Sequence, residues 1–127
     1  MGKEKALDNK VLDFLESVGA WRLKYWGGAK YAKSGIPDIL ACIDGWFFGI
    51  EDKAPNGKPS MLQLKNLEWI RNAGGYGILL YPGDFEIFKK FVCGNIIKDK
   101  QYSYEADRWY EKNIELQNNW QIKLKNV

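Results

Sequence analysis

Apolar residues first recur at helical spacing. Ala6, Leu7, Val11, Leu12, Phe14, Leu15 and Val18 stop at Gly19, which predicts an amphipathic helix closed by a glycine C-cap. Trp21 to Trp26 then alternates, placing Trp21, Leu23 and Tyr25 on one face of a strand. Two β-rich runs follow, Asp38–Asp44 and Trp46–Glu51, and the Asp44-Gly45 pair between them signals a two-residue type I′ hairpin. Beyond a loop bracketed by Pro55 and Pro59, Ser60 is a candidate N-cap. Met61, Leu62, Leu64, Leu67 and Ile70 give a second helix that ends at Gly74-Gly75. Tyr76–Tyr81 is nearly continuously apolar, as expected of a buried, parallel strand. Pro82-Gly83 turns the chain, and Asp84 is read as the cap of a third helix running to about Val92. Further on, Ser103–Glu115 reads as a helix, while Trp120, Ile122 and Leu124 alternate as in a strand.

The order is α-β-β-β-α-β-α: a mixed α/β fold, with a central mixed sheet flanked by helices. Residues 1–94 are read as the core. Residues 95–127 are a C-terminal extension expected to pack on it or on a second subunit, being too aromatic for disorder.

The hairpin carries the chemistry. A two-residue turn at Asp44-Gly45 sets Ile43 opposite Trp46, Ala41 opposite Phe48, Ile39 opposite Ile50 and Asp38 opposite Glu51. Directly opposed residues have Cβ atoms about 5 Å apart, so two carboxylates there repel unless a cation or proton lies between them. Lys53 shares the Glu51 face, whereas the Asp52 side chain points to the other. A carboxylate pair with an adjacent ammonium can hold a divalent ion against a phosphodiester. A lone Glu-x-Lys is common by chance, and acid pairs at strand ends are often merely solvated. A shift of one residue in register would also send the two acids to opposite faces.

Composition narrows the chemistry. At 127 residues, 46% hydrophobic, the chain fits one compact domain. It contains no histidine, which removes Ser-His-Asp and Cys-His catalysis and every imidazole metal site. Two cysteines, Cys42 and Cys93, cannot close a zinc site and are expected as free, buried thiols. Any metal must then be held by oxygens, which favours Mg²⁺ or Mn²⁺. Gly57-Lys58-Pro59-Ser60 lacks the first glycine of a phosphate loop, so no nucleotide cofactor is expected. No signal peptide or membrane span is read, and a cytoplasmic, intracellular location is expected.

The net charge of +3 permits nucleic-acid binding without requiring it. Lys30, Lys33 and Lys58 lie in loops that flank the acids and are candidate phosphate contacts, though lysines in such loops are commonly just solvated. Lys24 points either to the site or to solvent. Tyr25, Trp26 and Tyr31 are candidates for stacking on bases or for core packing.

Four motifs occur in a fixed order. Gly19-Ala20-Trp21-x-x-Lys24 follows the first helix, and Gly35-Ile36-Pro37-Asp38 leads into the hairpin. Glu51-Asp52-Lys53-x-Pro55-x-Gly57-Lys58-Pro59 leaves it, and Gln63 lies one turn into the next helix. With this ordered set the chain resembles the PD-(D/E)XK nuclease superfamily and, more narrowly, the VRR-NUC domain of stand-alone phage and bacterial nucleases. The similarity spans about residues 4–92. It implies a restriction-endonuclease-like core in which Asp38 and Glu51 are metal carboxylates. The backbone carbonyl of Asp52 would be a further ligand, with its side chain taking no part. Lys53 would position or activate the attacking water, and Gln63 would orient the strand or a metal-bound water. Ser60-x-x-Gln63 equally fits a capping box. The family's first-helix acid, a further metal ligand, falls at Asp8, or one turn earlier at Glu4.

The resemblance further implies an Mg²⁺- or Mn²⁺-dependent endonuclease that hydrolyses DNA. Its expected substrates are branched or flapped DNA, such as Holliday junctions, and it is expected to act as a homodimer. A restriction-type duplex endonuclease and a non-catalytic DNA-binding module of the same fold are the alternatives.

Overall fold

The computed structural model describes residues 2–27 and 33–126. Helix α1 (Lys3–Ser17) leads into strand β1 (Trp21–Lys24), and the hairpin follows as β2 (Ile39–Ile43) and β3 (Trp46–Asp52). Helix α2 (Met61–Asn72), strand β4 (Tyr76–Leu80), helix α3 (Phe85–Lys90) and helix α4 (Tyr104–Lys125) complete the chain. The four strands form one sheet in the order β1-β2-β3-β4, with β3 and β4 parallel and the other pairs antiparallel. This is the mixed α/β architecture and element order expected.

The hairpin has the register that the Asp-Gly turn dictates. Asp44 (φ 51°) and Gly45 (φ 84°) are both left-handed, as a type I′ turn requires. Ile39 lies opposite Ile50, Ala41 opposite Phe48 and Ile43 opposite Trp46. Carried one step beyond the Ile39–Ile50 pair, the same register sets Asp38 against Glu51, and their carboxyl groups are neighbours.

Strand alternation splits the apolar residues between two layers. On one side, Ile39, Ala41, Ile43, Phe48, Ile50, Ile78 and Leu80 pack against Leu7, Val11 and Leu15 of α1 and against Phe88, Phe91 and Val92. On the other, Leu79 packs with Leu64 and Leu67 of α2, joined by Leu116, Trp120 and Leu124. Helix α2 lies so close to the sheet that a Cβ on Gly77 would collide with the Leu67 carbonyl. Glycine there permits the approach.

Four expectations change. The strand expected around Trp120, Ile122 and Leu124 is the end of α4, because Leu116, Trp120 and Leu124 recur every four residues and turn together onto α2. Asp84 makes no side-chain cap; a 3₁₀ turn over Pro82–Asp84 opens α3 instead. Past Lys90 the helix widens into a π-helix over Phe91–Ile96, which turns Phe91, Val92, Cys93 and Ile96 all inward. Cys42 is exposed rather than buried, while Cys93 is buried as expected. Cys42 sits between Trp21 and Phe47 on the α2 side of the sheet. Trp21 and Phe47 remain 58% and 43% exposed, so none of the described residues covers this end of β1 and β2 fully.

Helix α4 closes the sheet at β4 with side chains. Asn113 accepts from the Leu79 N–H (3.0 Å) and donates to the Leu79 carbonyl (2.7 Å). Gln117 donates to the Gly77 carbonyl (2.9 Å) and accepts from Arg71. Both amides are buried. Replacing Asn113 with alanine strips both Leu79 groups of their partners, and the expected loss is about 2 kcal/mol, since a buried unpaired polar group costs about 1–3 kcal/mol. A lowered urea midpoint at unchanged m-value would show it; an unchanged midpoint would contradict this account.

Candidate active site

Four elements converge at the end of the sheet where β1 stops and β2 begins. Asp8 is buried on α1, Lys24 ends β1, Asp38 precedes β2, and Glu51 and Asp52 close β3, with Lys53 next in the chain. The backbone fixes Asp38 twice. The Tyr25 N–H donates to its carbonyl (2.8 Å), and the Asp52 N–H donates to its Oδ2 (3.0 Å). The Lys53 N–H donates to the Leu80 carbonyl (2.9 Å), extending the β3–β4 ladder to the lysine.

The side chains form two ion-paired groups. Lys53 Nζ lies 3.3 Å from Glu51 Oε2. Lys24 Nζ lies 2.8 Å from Asp8 Oδ2 and 3.7 Å from Asp38 Oδ1. Asp8, Asp38 and Glu51 thus share these two ammoniums, and the neighbouring Asp52 pairs with neither, leaving an excess of negative charge if all four are ionised. Asp8 Oδ1, Glu51 Oε1 and both oxygens of Asp52 are buried without a hydrogen-bond donor. Buried carboxylate oxygens in that state call for a proton or a cation.

The proton affinities respond to the same crowding. Burial, then the neighbouring Asp38 carboxylate, pushes Glu51 up to about 8 against the pull of Lys53. Burial and then Asp8 hold Asp52 well above the usual carboxylate range. Partial burial, followed by Asp38, raises Glu4. Burial works to lower Lys24, but its hydrogen bond to Asp8 and the charge of Asp38 outweigh it and the net shift is upward.

The residues singled out from the sequence therefore divide. Asp8, Lys24, Asp38, Glu51 and Lys53 come together. The Asp52 side chain turns to the α1 side, as alternation requires, and is fully buried. Gln63 completes the capping box: its Oε1 accepts from the Ser60 N–H (2.8 Å) while Ser60 Oγ accepts from the Gln63 N–H (3.1 Å). That leaves the amide N–H groups of its side chain to meet a ligand. Lys33 and Lys58 are exposed, and Lys30 and Tyr31 lie outside the described residues. Trp26 is 71% exposed, with Lys24 Nζ 5.6 Å from its ring centroid.

Two features lie beyond what the sequence pattern discloses: the bridging role of Lys24 and the burial of Asp52 beside Asp8. Alternation assigns Asp52 its face, but only the packing of α1 brings Asp8 there. Glu4 and Asp8, one helical turn apart, are the available signal.

An all-oxygen donor set suits a hard divalent ion. Among the described residues, no three acidic or cysteine side chains are gathered as a ready-made metal cage. Mg²⁺ does not need one, since it retains several waters and is commonly held by one or two carboxylates. Asp38 and Glu51, opposed across the hairpin and with Glu51 Oε1 unsatisfied, fit that requirement. No family model matches the chain, and no curated protein matches it closely enough to show kinship. Among the described residues, no helix is long and apolar enough to cross a membrane.

Proposed function

We propose that the protein is a metal-dependent nuclease that hydrolyses DNA phosphodiester bonds, selective for branched or flapped DNA and acting as a homodimer. The observation that carries this reading is buried Glu51 opposite Asp38, with Lys53 3.3 Å away and one Glu51 oxygen left without a partner. Asp38 and Glu51 would hold Mg²⁺ or Mn²⁺, which supplies charge neutralisation at the scissile phosphate. Lys53 stands on the same face to stabilise charge developing on the phosphate oxygens and to orient the attacking water. Exposed Lys33 and Lys58, in the two flanking loops, would contact the DNA backbone. The resemblance to VRR-NUC domains supports branched DNA as the substrate. The exposed apolar row of Trp21, Cys42 and Phe47 supports a second copy as partner, because large exposed apolar patches mark interaction surfaces.

The test uses purified protein with four-way junctions, flaps and plain duplex, in Mg²⁺, Mn²⁺ or EDTA. Cleavage of the branched substrates with a divalent ion, and none in EDTA, is the expected result. Failure to cut any substrate with either ion would refute the nuclease reading, and site-specific cutting of duplex alone would move it to the restriction type.

A further inference from the structure

We infer that Lys24 occupies the place of a second cation, so that the centre binds one divalent ion and not two. The inference rests on the metal-dependent reading above. Two-metal sites hold their ions about 3.5–4 Å apart and clamp both sides of the reacting phosphate. Here Asp38 has the position of a shared carboxylate. It adjoins Glu51 on one side, and on the other its Oδ1 meets Lys24 Nζ at 3.7 Å.

The ammonium also meets Asp8 Oδ2 at 2.8 Å, so it links carboxylates from α1 and from the start of β2 as a bridging ion would. Its place is built into the sheet. Lys24 pairs with Ile39 across the β1–β2 ladder, and the next residue donates its N–H to the Asp38 carbonyl. The Trp26 ring centroid stands 5.6 Å from the ammonium. A tethered charge at this point satisfies Asp8, which is only 6% exposed and is costly to leave as a buried carboxylate without a counter-ion. Asp8 is thereby the partner of Lys24 rather than a ligand of the catalytic ion. Without the lysine, the same spot has the donors for an ion of its own. Asp8 Oδ1 and both oxygens of the neighbouring Asp52 are buried and lack a hydrogen-bond donor.

The test is the stoichiometry of Mn²⁺ binding to the full chain without DNA, by calorimetry and by electron paramagnetic resonance of free Mn²⁺. The variants are Lys24→Met, Lys24→Gln (whose amide still donates to Asp8) and Lys24→Met combined with Asp8→Asn, each checked for folding by circular dichroism. The native chain is expected to take up one ion, both single variants two, and the double variant one. Equal stoichiometry in the native chain and a folded single variant overturns the inference. No ion in the native chain but one in a single variant would overturn the one-ion centre together with the metal-dependent reading, whereas one ion in both overturns the inference alone.

Discussion

Lys53→Ala is expected to lower the rate of DNA cleavage by about 10²- to 10³-fold, the range for removing one preorganised group that meets charge in the transition state. Lys53 is held by the sheet through its backbone N–H and is nine-tenths buried, so its ammonium reaches the site with little freedom to lose. Its partner Glu51 is on the same face, 3.3 Å away, which confines the ammonium to the carboxylate pair. The decrease should fall on kcat more than on KM, because the interaction strengthens as charge develops. Single-turnover cleavage of a preferred branched substrate reads it directly. A variant that cuts at the native rate would exclude Lys53 from the chemistry.

The second large effect concerns stability. Glu51→Gln is expected to stabilise the protein in EDTA by on the order of 4 kcal/mol near pH 8, because each unit of pKa displacement is worth about 1.4 kcal/mol. Glu51 binds its proton more tightly in the folded state, about 8 against a usual 4.5. Between those values the folded chain holds more protons than the unfolded chain. The Glu51 contribution is therefore fully favourable below pH 4.5 and is lost progressively as the pH rises to about 8. The glutamine variant lacks that decline, so its melting temperature should exceed the native value by the widest margin at pH 8 and by little at pH 4.5. A saturating divalent ion should narrow the gap from the other side, since it stabilises only a chain that can bind it. Melting temperatures that differ by a constant amount across this range would contradict the assignment.

The parts of the site legible in the sequence are those set by short-range geometry. Asp44-Gly45 fixes the turn, the turn fixes the register, and the register brings Asp38 to Glu51 with Lys53 on the same face. The same alternation places Asp52 on the opposite face. It does not disclose that α1 delivers Asp8 to that face, because helix placement depends on how the whole apolar layer packs. Lys24 is ambiguous for the same reason: its strand position assigns a face, but only its distances to Asp8 and Asp38 identify a partner. In the tail, Trp120, Ile122 and Leu124 satisfy a period of two over too few residues. Trp120 and Leu124 also satisfy a period of four, and Leu116 extends that series. Asn113 and Gln117 are invisible as interior residues, since a polar helix position signals solvent unless its partner is known.

That partner is the outer margin of β4. A terminal strand normally exposes a row of peptide groups on which another chain can template itself. In this protein two amide side chains occupy that row at Leu79 and Gly77. The last helix accordingly acts as a stopper against uncontrolled growth of the sheet. A chain shortened before Tyr104 would bare those groups together with Leu79 and Leu67, inviting ribbon-like stacking of one molecule on the next.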